Sequence, residues 1–153
     1  MSALVFRQHK NGWNAEPNAV NPKLTVVLGD LRLPFPLNPH IKPFKDGDVG
    51  QLLFRNCSHF RMDGTNDHAW YGRQCRYSRT APKWGEFYEL TGDDPTLEHV
   101  TDWIEIAGST GARHFLFYFR DNMFECFASD WVYDDVETNA LKAIAAGHYL
   151  TKV

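Results

Sequence analysis

Cysteine is scarce in this sequence of 153 residues, and the three present, Cys57, Cys75 and Cys126, are odd in number and widely spaced. No two of them form a C-x-x-C pair, so a disulfide framework and a paired-cysteine ligand set are both excluded. Reduced thiols in a cytoplasmic protein are the expectation. Long apolar runs are also missing. No window approaches the roughly 20 apolar residues that a bilayer-crossing helix needs. The opening MSALVFRQHKNGWN has no apolar stretch between a basic start and a small-residue cleavage site, so it does not read as a signal peptide. A soluble protein with no membrane partner is expected. Catalytic signatures are absent too. No G-x-S-x-G surrounds Ser58, Ser78 or Ser109, and Gly108-Ser-Thr-Gly111 is too short for a phosphate loop. No motif implies a cofactor, and no repeat or low-complexity tract appears.

What the chain has in quantity is aromatic side chains, 14% of residues within a 43% hydrophobic share. That composition belongs to a globular chain, read as one domain over 1–153, and aromatic residues favour strands. Residues 1–22 read as an irregular N-terminal segment. Residues 34–48, with Pro34, Pro36, Pro39 and Pro43, read as an extended connection that is neither helix nor central strand. Lys23 to Leu28 reads as a buried strand stopped at Gly29. From Gln51 the side chains alternate: Leu52, Phe54, Phe60 and Met62 share one face of a strand, and Arg55, Cys57, His59 and Arg61 the other. Further strands are expected at 69–79 and 85–91.

The sharpest local pattern lies between Arg113 and Tyr133, where HFLFYFR and MFECFAS flank Asp121-Asn122 as a two-residue turn. In that register Phe119 faces Phe124, Phe117 faces Cys126 and Phe115 faces Ala128, all on one apolar side. Tyr118 faces Glu125 and Leu116 faces Phe127 on a half-polar side. Asp134 to Glu137 resembles a capping box that opens an Ala-rich helix ending at Gly147. Asp94-Pro95 suggests a short helix, with 96–107 open between helix and strand. The expected class is α+β, mainly antiparallel β, a sandwich or partial barrel with a C-terminal helix packed on the sheet.

Charge is unevenly placed around a net −3: Arg55 to Lys83 holds six Lys or Arg against two acids, and Trp84 to Glu137 holds two against thirteen. The basic stretch supplies the candidate ligand-binding residues Arg55, Arg61, Arg73, Arg76, Tyr77 and Trp84. Guanidinium forks match carboxylate or phosphate geometry, and the aromatic rings could stack on a planar ligand. The bland alternative is that these arginines pair with the acids of the later strands. His59, Asp63, Asp67 and His68 crowd one turn and are candidates for acid–base catalysis. Two His and two Asp could ligate a metal, but turns use Asp for their own hydrogen bonds, and no metal is assigned.

Two functional expectations follow. The first is a non-catalytic binding domain that uses the 55–84 surface for an anionic small molecule or an acidic protein partner. The second is a small enzyme with a His/Asp acid–base pair near 59–68. Duplex nucleic acid is not expected for an acidic chain. Exposed Leu116 and Phe127 would give two copies a surface on which to form a homodimer.

Overall fold

The computed structural model describes residues 3–9, 12–15, 23–41, 47–64, 71–72, 76–77, 83, 85–119 and 122–134. Their elements are ten strands and a single 3-10 turn, Leu97–His99. The strands are β1 (Val5–Gln8), β2 (Thr25–Val27), β3 (Asp30–Pro36), β4 (Val49–Arg55), β5 (His59–Asp63), β6 (Phe87–Thr91), β7 (Ile104–Glu105), β8 (Arg113–Tyr118), β9 (Met123–Ala128) and β10 (Asp130–Asp134). Every pairing is antiparallel. One sheet has the order β1-β6-β8-β9-β5-β7, the other β10-β4-β3-β2.

The two sheets face each other across an aromatic core. Period-2 alternation sends Leu31, Leu33 and Phe35 of β3 and Leu52 and Phe54 of β4 inward from the smaller sheet. Phe60, Phe87, Phe115, Phe117, Phe124, Cys126 and Ala128 meet them from the larger one. Phe54 lies within 5.4–5.9 Å of the Phe87, Phe115 and Phe124 rings. Trp13 enters from the N-terminal segment and stacks on Tyr133, with centroids 4.2 Å apart and planes 4° from parallel.

This antiparallel sandwich overturns the expected α+β class. Among the described residues no C-terminal helix packs on either sheet. Asp134, taken from the sequence as a helix cap, is the last residue of β10 and pairs with Gln51. The β4 ladder claims the backbone that the capping pattern would have used; residues 135–147 lie outside the described residues. The stretch near Pro95 forms the 3-10 turn alone, and 104–105 is strand. No helix among the described residues is long and apolar enough to cross a membrane.

Other expectations change with context. The strand from 51 to 62 is two strands, broken at 56–58. Its inward parity survives the break. Pro34 sits in β3, between β2 and β4, where no central strand was expected. β2 reaches only Arg32, so beyond that point β3 has one neighbour and the missing N–H of Pro34 costs no ladder bond on the open side. The 23–28 run is not buried: Val27 is 52% and Leu28 99% exposed. Residues 5–8, expected to be irregular, pair with β6.

The break at 56–58 has a partner. β4 pairs with β10 in one sheet and β5 pairs with β9 in the other, so a single two-stranded ribbon folds from sheet to sheet at Asn56 and Ser129. Asn56 adopts a left-handed φ of 51°, which Asn tolerates better than most residues. Its side chain clasps the corner: Nδ2 donates to Ser129 Oγ at 2.8 Å and Thr110 Oγ1 at 3.1 Å, and Oδ1 accepts from the Thr110 N–H. Gly111 passes so close that a Cβ there would lie 2.3 Å from Asn56 O.

Candidate functional site

The outer face of the six-stranded sheet carries the side chains of opposite parity: Tyr88 and Leu90 of β6, His114, Leu116 and Tyr118 of β8, Met123 and Glu125 of β9. Most form a second apolar cluster, with Tyr77 from the β5–β6 connection and Leu4 and Phe6 packed against it. Inside this surface sits a fully buried carboxylate, Glu125. A buried charge is tolerated only when paired and hydrogen-bonded.

Its four partners come from three separate segments. Glu125 Oε1 accepts from Arg76 Nη1 and, at 3.4 Å, from Arg61 Nη1. Oε2 meets His114 Nε2 and, at 3.2 Å, the Tyr77 hydroxyl. The arginines are held further out as well. Arg61 donates Nε to Asp102 at 2.7 Å and Nη2 to Asp63 at 2.9 Å and Asp102 at 3.1 Å. Arg76 donates Nε to Thr96 Oγ1 at 2.7 Å and Nη2 to Asp94 at 3.2 Å and to the Tyr77 hydroxyl. That hydroxyl is also bonded to Asp94. Tyr77 has a left-handed φ of 71°, unusual for a bulky residue. The Phe6 ring meets it edge-on at 5.3 Å. Asp94 Oδ1 in turn accepts from the Thr96 N–H at 2.9 Å, which anchors the loop before the 3-10 turn.

Charge states follow from this geometry. Burial opposes ionisation of Glu125, but the His114 hydrogen bond and the Arg76 charge outweigh it and hold the carboxyl below its usual value. Asp94 is likewise lowered, its burial outweighed by hydrogen bonds from Thr96 and Tyr77. Asp102 is lowered by its bond to Arg61, and Glu89 by its bond to Arg113. Burial and the Glu125 charge push the Tyr77 phenol far up. His9, half-buried against Phe87 and Trp131, and His59 are both lowered by burial.

A pH dependence of stability follows. The four carboxyls release their protons more readily folded than unfolded. Their contribution is present in full above the ordinary values of 3.8 and 4.5 and is lost as pH falls through the lowered folded values. The two lowered histidines act in the same direction, because the unfolded rings protonate first, near 6.5. Urea midpoints should fall gently on acidification below about pH 6.5 and steeply below about pH 4.5. A midpoint that held or rose across that range would contradict the charge assignment.

Of the residues expected at a ligand site, Arg61, Arg76 and Tyr77 come together around Glu125. Arg55 does not join them: it lies on β4 in the other sheet, ion-paired with Asp130 at 3.6 Å. Arg73 and Trp84 lie outside the described residues, as do Asp67 and His68. His59 bonds through Nδ1 to Ser58 Oγ at 2.8 Å and stacks on Phe127 at 4.5 Å. Asp63 is engaged by Arg61. Leu116 is buried within the chain and Phe127 is half-buried, so neither offers the open surface from which a homodimer was expected. Among the described residues no group of three His, Cys, Asp or Glu could hold a metal.

Glu125, His114, Asp94 and Asp102 escaped the sequence reading as site residues. The available signal was a lone acid inside the apolar run MFECFAS. The register hid its partner. Phe119 N–H donates to Asn122 O, and the ladder pairs Phe117 with Phe124 and Leu116 with Glu125, two residues from the expected alignment. That shift puts His114 opposite Phe127, on the diagonal to Glu125 and within side-chain reach.

Among the clefts that open beside this network are two that reach Arg61, Arg76 and His114. One, of about 490 Å³, is lined by Arg61, Arg76, Thr96, His99, Thr101 and Asp102. The other, of about 310 Å³, reaches His114. No protein-family model matches the chain, and no curated protein or solved structure matches it either.

Proposed function

We propose that the chain is a non-catalytic binding domain whose recognition site is the cleft of Arg61 and Arg76. One observation carries this reading: two guanidinium groups share the wall of one cleft and are already held in place by carboxylates behind them. Arg61 and Arg76 each spend four of their five N–H donors on the network, leaving one on each Nη1. Donors that are rigid before a ligand arrives lose little entropy when it binds.

The same geometry narrows the ligand. Asp63, Asp94, Asp102 and Glu125 outnumber the two arginines, so the long-range field that would draw in an acidic protein surface is cancelled locally. The ligand expected is a small molecule that presents one carboxylate or similar acceptor oxygen, with the Thr96 and Thr101 hydroxyls beside it.

Titrating the isotopically labelled protein with acetate should move the Arg61 and Arg76 side-chain resonances saturably. Arg76→Lys keeps the charge but loses the fork, and should weaken binding about tenfold or more. Its near-UV circular dichroism would show that the fold persists. Arginine resonances that stay unmoved by acetate, phosphate and acetamide would sink the reading.

A further inference from the structure

The core holds two thiols that the Glu125 network does not use, those of Cys57 and Cys126. Neither has exposed surface. The backbone brings them side by side. Ser58, which follows Cys57, donates its N–H at 2.8 Å to the carbonyl of Phe127, which follows Cys126. Phe60 then faces Cys126 in the β5–β9 ladder. Between these two ties Cys57 turns its side chain forward along β5, where Sγ donates to His59 O at 3.6 Å. The two thiols meet there and hydrogen-bond to each other. A disulfide forms only between sulfurs already within reach, and this pair meets that condition.

The pair lies beneath the bend of the ribbon. Cys57 is flanked by Asn56 and Ser58, both half-buried, and the bonds from Asn56 to Thr110 and Ser129 lie at the exposed surface. Hydrogen bonds open to water are among the first to break in local fluctuations. Opening this clasp brings solvent to Cys57 first, because Cys126 lies on β9, between β8 and β5. Burial pushes the Cys126 thiol up, so it keeps its proton until it reacts.

We propose that Cys57 and Cys126 are a modification site, a dithiol that a peroxide-class oxidant, admitted by opening of the Asn56 clasp, converts into an intrachain disulfide within the folded protein. Cys57, as thiolate, attacks one peroxide oxygen. The O–O bond breaks, the released hydroxide takes up the thiol's proton as water, and Cys57 is left as a sulfenic acid. The Cys126 sulfur then attacks that of Cys57. The S–S bond forms, the S–O bond breaks, and the hydroxyl leaves as a second water with the Cys126 proton. Two electrons pass from the sulfurs to the peroxide, and each thiol loses one hydrogen. The new bond closes a loop of about seventy residues and stabilises the sandwich by restricting the unfolded chain.

Cys75→Ser leaves only these two thiols in the full chain. Treated with hydrogen peroxide at neutral pH without denaturant, its monomer should lose two hydrogens in intact mass. Digestion should yield a peptide that links Cys57 to Cys126. The oxidised form should unfold at higher urea than the reduced form, and dithiothreitol should reverse both changes. Asn56→Ala in the same background removes the clasp and should speed the cross-link about fivefold. Thiols that stay free, oxidation that stops at sulfinic acid, equal rates with and without Asn56, or a cross-link that forms only after urea has unfolded the chain would each overturn the proposal. If either variant fails to fold, the unaltered chain decides: no linked Cys57–Cys126 peptide after peroxide treatment refutes the bond.

Discussion

Glu125→Ala should lower the unfolding free energy by about 3–5 kcal/mol, the range seen when one partner of a buried ion pair is removed. The loss comes less from the missing bonds than from what they leave behind. Arg61 and Arg76 would keep positive charges under the outer cluster, with side chains only 10% and 14% exposed, and His114 would lose the acceptor that orients it. Glu125→Gln, which preserves shape and one acceptor oxygen, should cost less and should weaken the steep acid limb of the stability profile. Urea denaturation of the three proteins at neutral and acid pH measures both effects. A loss below about 1 kcal/mol for the alanine variant would mean that the carboxylate is not the hub it appears from its partners.

Phe54→Ala should cost a similar amount, about 3–5 kcal/mol, by a different mechanism. Phe54 has no exposed surface and touches rings contributed by three strands of the opposite sheet. Truncation leaves a cavity between two sheets that ladder hydrogen bonds hold apart, so the walls can collapse only partly. The denaturation midpoint should fall at every pH alike, since no charge is involved. A cost near 1 kcal/mol would show that the Phe87, Phe115 and Phe124 rings move in to fill the space.

The inward faces were legible in the sequence because period-2 alternation is a local property. Phe115, Phe117, Phe119, Phe124, Cys126 and Ala128 all lie in the core as their parity requires, and the two-residue register error left that parity unchanged. The cap expected at Asp134 failed for a complementary reason. Asp134 reads as a cap from local preference alone, but its backbone pairs with Gln51 of β4, about eighty residues away in sequence. Pro34 misled similarly, since its tolerance depends on where β2 stops. The site was legible only in part. Arg61, Arg76 and Tyr77 stood out by charge and ring, whereas Glu125 and His114 gain meaning only from the diagonal that the true register creates.

The folded ribbon at Asn56 and Ser129 bears on how errors in assembly are handled. A slip of β4 against β10 would drag β5 along β9, because three residues on one side of the bend and one on the other leave no slack to absorb it. The mismatch would unseat the Asn56 clasp, force backbone into the space that Gly111 vacates, and misplace Arg61 from Glu125. A misaligned chain is thus penalised in both leaves at once, and the bend works as a proofreading joint for the whole sandwich.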